Sequence, residues 1–293
     1  MKILISADIE GVAGVFHPEQ TRPGNGEYER ARRWMTEEAN AAIRGAFDGG
    51  ATEVLVNDSH GSFRNLLVDA LDPRARQILG KPRALGMMAG LEQQCHGVMM
   101  LGYHSQAQGR GVLAHTMNSF AFARVEINGQ ALGEAGLYGA LAGEFGVPVL
   151  FGSGDDQFIE ENTAFFPGAL WVQTKLAYGH TSGLSMSPAE AQAAIAESAE
   201  RAVRDLGQAT GMIAPVRSTL HAQDPAVAPQ PFCLTTPIVC RLTTQSPALA
   251  DLFCTLPFLS RRDGVMVEFS AATIQNIIRI LNSLSAMSFM LRS

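Results

Sequence analysis

The chain has 293 residues, of which 46% are hydrophobic and only 17% charged, with a formal net charge of −6. This composition excludes a disordered chain, and Arg30-Ala31-Arg32-Arg33, flanked by Glu29, Glu37 and Glu38, reads as a solvated helix face rather than a nucleic-acid contact. No apolar run approaches the roughly 20 residues that span a bilayer, no charged-then-apolar leader opens the chain, and Cys95, Cys233, Cys240 and Cys254 form no C-x-x-C pair, so a soluble cytoplasmic protein with buried free thiols is expected.

Lys2-Ile3-Leu4-Ile5-Ser6 is an apolar run with the look of a buried strand, and it leads into Asp8-Ile9-Glu10. Along an extended strand residues two apart share a side, so this spacing presents two carboxylates together. Neighbouring carboxylates repel unless a cation lies between them or one keeps its proton. A helix is predicted over 27–47, with Met35, Ala39, Ile43 and Phe47 on one face, stopped by Gly49-Gly50. A second strand over 53–57 ends in Asp58-Ser59-His60-Gly61. A short helix is expected over 83–93, and a third strand over 97–102 ends in Tyr103-His104-Ser105. After a glycine-rich polar segment around His115, a strand over 122–127 meets the turn Asn128-Gly129, and Gly133-Glu134 opens an alanine-rich helix. A strand over 148–152 closes in Asp155-Asp156, and another over 170–176 carries Lys175.

Beyond Gly179 the pattern shifts. Ser187-Pro188 starts a long helix, a proline-spaced linker over 224–231 leads to a strand-like stretch at 232–242, and a helix (247–256), a strand (265–269) and a closing amphipathic helix (271–284) follow. Strands alternating with helical patterns indicate βαβ units. The expected fold is α/β: a three-layer arrangement with mostly parallel strands and helices on both faces, plus a smaller C-terminal α/β half. The expected division is a metal-binding catalytic domain at 1–190 and a C-terminal domain at 191–293.

Parallel strands place their carboxyl ends along one sheet edge, so Asp8 and Glu10, His60, His104, and Asp155 with Asp156 are expected to converge. Carboxylates and imidazoles without thiolates form a donor set suited to zinc, manganese or iron. Glu134 fits as a further ligand or a general base. His115 fits either a loop role or a catalytic one. His17, His96, His180 and His221 fall outside the pattern and read as structural or surface residues.

Ser6-Ala7-Asp8-Ile9-Glu10-Gly11 resembles the Ser-x-Asp-x-Glu-Gly signature of the D-aminopeptidase metallopeptidases. Asn57-Asp58-Ser59-His60-Gly61, Gly102-Tyr103-His104, Ala114-His115-Thr116, and Asn128-Gly129 followed by Gly133-Glu134 continue the resemblance in the family's order up to about residue 180. It implies a dinuclear zinc site ligated by Asp8, Glu10, His60, His104 and Glu134, with His115 catalytic. It also implies a self-compartmentalising homo-oligomeric ring, a decamer in the type member, acting on short peptides with an N-terminal D-amino acid such as D-Ala. For the free amine of such a substrate, Asp155 or Asp156 is a candidate partner by position. The chain departs from the family at Gly179-His180, where a Gly-Arg pair is usual, and its last hundred residues carry no matching motif. The alternative readings are a related amidohydrolase or phosphoesterase on the same donor set, with Arg64 and Arg110 as phosphate partners, and a non-catalytic protein that holds a metal or ligand.

Overall fold

The computed structural model describes residues 1–213 and 228–292; His221 and the first part of the expected linker lie outside them. In chain order the elements are β1 (Lys2–Ala7), α1 (Gly26–Asp48), β2 (Glu53–Asp58), β3 (Arg76–Ile78), β4 (Gly97–Leu101), β5 (Phe122–Ile127), β6 (Gln130–Ala131), α2 (Glu134–Glu144), β7 (Val149–Asp155), α3 (Asp156–Asn162), β8 (Leu170–Gly179), β9 (Ser182–Ser185), α4 (Pro188–Ala209), β10 (Ile238–Thr244), α5 (Pro247–Phe253), β11 (Ser260–Arg261), β12 (Met266–Ala271) and α6 (Ile274–Met287). The helix ends follow capping chemistry legible in the residues. Asn25 accepts from the amides of Glu27 and Tyr28 at the start of α1, and Ser187 accepts from Glu190 with Pro188 in the first turn of α4.

Seven strands form one sheet in the order β3-β2-β1-β4-β7-β8-β9, parallel throughout except for β9. Strands β1, β2, β4 and β7 are buried almost end to end, as a parallel sheet covered on both faces requires. On one face Ile3, Ile5, Val54 and Met99 pack with α1 and α4; on the other Leu4, Leu55, Val98 and Met100 pack with α2. Behind α2 stands a second, antiparallel sheet, β11-β12-β10-β5-β6, with α5 and α6. The fold is therefore the expected α/β arrangement with helices on both faces of a largely parallel sheet.

A cut at residue 190 does not follow the sheets. Strands β5 and β6 belong with β10 in the second sheet, because Cys240 and Leu242 pair with Ile127 and Val125. Helix α4 lies with α1 on the first sheet, through buried Ile195, Ala199 and Val203. Three local expectations also change. The stretch 83–93 is two short 3-10 turns, Gly86–Met88 and Leu91–Gln93, because Gly86 and Gly90 adopt positive φ (+52° and +114°), which a continuous helix cannot contain. The strand expected from 232 starts only at Ile238, since Pro237 has no amide to give a ladder. Of the thiols, Cys95 and Cys240 are buried, whereas Cys233 is exposed.

One buried carboxylate ties α1 to the site. Glu38 accepts from the Ala13 amide at 2.9 Å, and burial pushes its pKa up to about 7, only partly opposed by that hydrogen bond and by the charge of Lys175. Between the unfolded value near 4.5 and the folded value, the native state holds a proton that the unfolded chain has released. Stability therefore falls as pH rises through this window, by up to about 3 kcal/mol. Glu38→Gln removes the titration, so denaturant unfolding of this variant should lose less stability between pH 5 and 7 than the unsubstituted protein; parallel pH profiles would contradict the assignment.

Candidate metal centre

The strand order reverses around β1, with β2 on one side and β4 on the other, and the carboxyl ends of these three strands carry the donors. Strand β1 stops at Ala7, and residues 9–14 form a tight turn, so strand alternation does not pair Asp8 with Glu10. Backbone stitching does. The Asp8 amide donates to Leu101 O at 2.8 Å and the Gly11 amide to Gly102 O at 2.7 Å, joining the turns after β1 and β4. The contact is so close that a Cβ at Gly11 would lie 2.0 Å from Tyr103 O, and one at Gly102, whose φ is +67°, would lie 2.3 Å from Asp8 O. From β8, buried Lys175 donates to the carbonyls of Glu10 and Val15, and Thr174 Oγ1 donates to Gly11 O at 2.6 Å. Burial holds the Lys175 ammonium down to about 8, against the pull of Asp155, Glu38 and Glu10.

The other two loops are built as firmly. Asp58 accepts from the Leu66 amide and from Asn65 Nδ2, both at 2.7 Å, and Asn65 Nδ2 also donates to His60 O at 2.6 Å. Asp58 thus shapes the loop that presents His60. Beneath it, Ser6 Oγ donates to Met87 O and lies 2.6 Å from Ser59 Oγ and 2.7 Å from Tyr103 Oη, which locks the ends of β1, β2 and β4 together.

Five expected ligand residues and His115 meet here. His60 Nδ1 is 3.2 Å from Asp8 Oδ1 and 3.1 Å from Glu10 Oε2. His104 Nε2 is 3.5 Å from both Asp8 Oδ2 and Glu134 Oε1, and His115 Nε2 is 3.7 Å from Glu134 Oε1. The His104 and His115 rings stack at 4.1 Å. Each imidazole has its other nitrogen against a carbonyl: His60 Nε2 on Thr21 O at 2.8 Å, His104 Nδ1 on Ser105 O at 3.0 Å, His115 Nδ1 on Leu113 O at 2.9 Å. A carbonyl only accepts, so those nitrogens carry the hydrogens and the inward nitrogens of the neutral rings are bare lone pairs. Lone pairs of imidazole and carboxylate then face one another, and Glu10 Oε2 and His104 Nε2 are buried without a hydrogen-bond partner. Such an arrangement calls for a cation, and imidazoles oriented by backbone carbonyls are characteristic of metal ligation. The groups His104, His115, Glu134 and Asp8, Glu10, His104 each bring ligand atoms within 4.8 Å of one another.

The electrostatics agree. Burial raises the pKa of Asp8, and the neighbouring Glu10 charge raises it further. Burial opposes the charge of Glu10 too, but His60, His115 and His104 outweigh it and hold this carboxyl well below its usual range. The imidazoles of His60 and His104 resist charging because they are buried, yet the carboxylates around them hold both well above the usual histidine value. Positive charge is demanded here, as protons or as metal.

Other expectations are corrected. Asp155 does not join the centre: its carboxylate caps α3 through the Phe158 amide and accepts from the Val112 amide at 2.6 Å. Asp156 accepts from the Ala177 amide, and neither residue lines the cleft beside the centre. His17 caps a 3-10 turn and His96 accepts from the Lys2 amide, both structural as expected. His180 differs. It sits at the β8–β9 turn and lines, with Glu10, His60 and His115, a cleft of about 600 Å³. Arg64 and Arg110 do not line it; Arg22, Lys81 and Arg292 do.

Comparison with known proteins gives a consistent result. The D-aminopeptidase family model (Peptidase_M55) matches residues 1–283. A D-aminopeptidase of Bacillus subtilis (strain 168) is 36% identical over 223 residues, covering 76% of this chain and 81% of that protein. A solved structure, described as the Zn-dependent D-aminopeptidase DppA from Bacillus subtilis, a self-compartmentalizing protease, matches with a TM-score of 0.86 at 29% identity over 99% of this chain and 98% of its own.

The stitched turns make a direct prediction. In Gly11→Ala the new methyl meets the Tyr103 carbonyl, so the variant should lose at least about 2 kcal/mol in denaturant unfolding and bind zinc more weakly in chelator competition. An unfolding midpoint and zinc affinity equal to those of the unsubstituted protein would show that the contact does not organise the centre.

Proposed function

This chain belongs to the D-aminopeptidase family, and from that premise we propose that it is a zinc-dependent aminopeptidase that hydrolyses short peptides with an N-terminal D-amino acid, D-Ala peptides among them. The observation that carries the reading is the convergence of bare imidazole nitrogens and carboxylate oxygens on one buried space. The donors fall into two halves that share Asp8: Oδ1 with Glu10 and His60, and Oδ2 with His104 and Glu134. Each half would hold one zinc ion, two per subunit. Zinc bound there would polarise the scissile carbonyl and make a water acidic enough to attack near neutral pH.

The remaining roles fall to the chain. His115 is the acid–base residue in this reading: its Nδ1 hydrogen is committed to Leu113 O, and its Nε2 is free to take a proton. The ring is partly exposed to the cleft while its neighbours are buried, so the substrate reaches it first. A proton accepted at Nε2 during attack is returned to the departing amine nitrogen. Stacking on His104 and the nearby Glu134 carboxylate hold the ring in that orientation. Preference for D substrates follows from family membership.

We further propose a homo-oligomer, a decameric ring as the family resemblance implies. The description of the Bacillus structure as self-compartmentalizing supports it, as does an apolar strip of exposed Leu176, Tyr178 and Leu184 on the β8–β9 edge hairpin. The four cysteines are all free thiols, which suits a reducing cytoplasmic setting.

Hydrolysis of D-Ala-D-Ala but not L-Ala-L-Ala, lost on chelation and restored by zinc, is the expected outcome; a zinc-loaded protein inert to both peptides would overturn the reading. His115→Ala should keep its zinc in elemental analysis while kcat falls by about 10²- to 10⁴-fold, whereas His104→Ala should lose zinc as well. Light scattering at micromolar concentration should find an oligomer, and a monomer would contradict the assembly.

A further inference from the structure

The candidate cleft has two electrically different ends. Its floor is the carboxylate–imidazole centre, with buried Glu10 lining it and Asp8 and Glu134 behind. Its wall carries Arg22, Lys81 and Arg292. A short peptide is a zwitterion, and with its scissile carbonyl and amine seated at the floor its terminal carboxylate falls on the wall, where a cation can meet it.

Of the three cations Lys81 lies over one aromatic ring, that of Phe63, and Arg292 lies near two. Its guanidinium carbon lies 5.5 Å from the centre of the Phe120 ring and 5.3 Å from that of Phe289. Aromatic neighbours make no hydrogen bonds with a guanidinium and leave its N–H groups available to grip a carboxylate through two parallel hydrogen bonds. Among the described residues no carboxylate or carbonyl takes up the Arg292 side chain. The wall is also tied to the catalytic loop. Asn118, three residues beyond His115, donates from Nδ2 to Ser285 Oγ at 2.9 Å and to Ser288 Oγ at 3.1 Å, fixing the end of α6 and the 3-10 turn Ser288–Leu291 against the 115–120 segment. The backbone that carries Arg292 is thereby set relative to His115, which lowers the ordering cost of binding.

We infer that this wall is a carboxylate subsite in which Arg292, braced by Phe120 and Phe289, receives the free C-terminal carboxylate of the peptide and so restricts the enzyme to short, unblocked peptides. The inference rests on the aminopeptidase reading above. It gives the extreme C-terminus, which carries no family motif, a role in substrate selection. Arg22 and Lys81 add positive potential to the same wall.

The test is steady-state kinetics on D-Ala-D-Ala and on its C-terminal amide, which keeps the amine and the scissile bond but lacks the charge. The zinc-loaded protein should favour the acid by roughly 10- to 100-fold in kcat/KM, mostly through KM. Arg292→Ala should bring that ratio close to one, Arg292→Lys should retain part of it, and Arg22→Ala should leave the ratio near its original value. Equal hydrolysis of acid and amide by the unsubstituted protein, or a full preference surviving in Arg292→Ala, would overturn the subsite and leave the aminopeptidase reading intact. So would a ratio that collapses in Arg22→Ala instead. Failure to hydrolyse either peptide would overturn the aminopeptidase reading and the subsite with it. Thermal melting of Arg292→Ala separates loss of the clamp from loss of the fold, and an unchanged melting temperature is expected for a residue on the exposed terminal turn.

Discussion

Three imidazoles at the sheet edge each give a ring hydrogen to a backbone carbonyl, and everything else about the centre follows from that commitment. With His60, His104 and His115 oriented in this way, their other nitrogens face Asp8, Glu10 and Glu134 as bare lone pairs. Buried carboxylates and buried lone pairs so close together are unfavourable unless positive charge is supplied. Protons on the imidazoles are one source and a divalent cation is the other. The cation satisfies all the donors at once, while the backbone carbonyls fix ring orientation in advance.

Holding such groups together demands a rigid frame, and the parallel sheet provides it. The turns after β1 and β4 touch backbone to backbone at Gly11 and Gly102, and Lys175 and Thr174 fasten the first turn to β8. Side-chain carboxylates take the same structural part: Asp58 builds the His60 loop, Asp155 ties the 112 segment to α3, and Glu38 holds the turn at Ala13. The second sheet is more than an appendage. It is threaded through the first in sequence, because the β5–β6 hairpin precedes α2, whose N-terminus presents Glu134. Helix α6 and the turn after it reach back to wall the cleft at Phe289 and Arg292.

Much of this was legible in the residues. Apolar runs ending in Asp8, His60 and His104 announce parallel strands with donors at their carboxyl ends, and Asn25 and Ser187 mark where helices start. The convergence of Asp8 with Glu10 was anticipated for the wrong physical reason, since a tight turn rather than an extended strand brings them together. Asp155 shared the strand-end signal, yet its oxygens are consumed by amides that only the folded chain brings near. His180 and Arg292 carry no local pattern. Their place in the cleft depends on a hairpin turn and a terminal helix that arrive from distant parts of the chain. The interleaving of the two sheets was equally hidden, because the pairing of β5 with β10 joins strands more than a hundred residues apart and leaves no periodic trace.

The central claim is that the carboxylate and imidazole lone pairs meet because they hold metal between them. Anomalous diffraction at the zinc edge, from crystals of the zinc-loaded protein, tests it most directly. The account predicts two peaks, one bounded by Asp8, Glu10 and His60 and the other by Asp8, His104 and Glu134, with His115 beside the second. Zinc bound elsewhere, or a cluster that stays without an anomalous peak while its imidazoles pair as cations with the carboxylates, would contradict it.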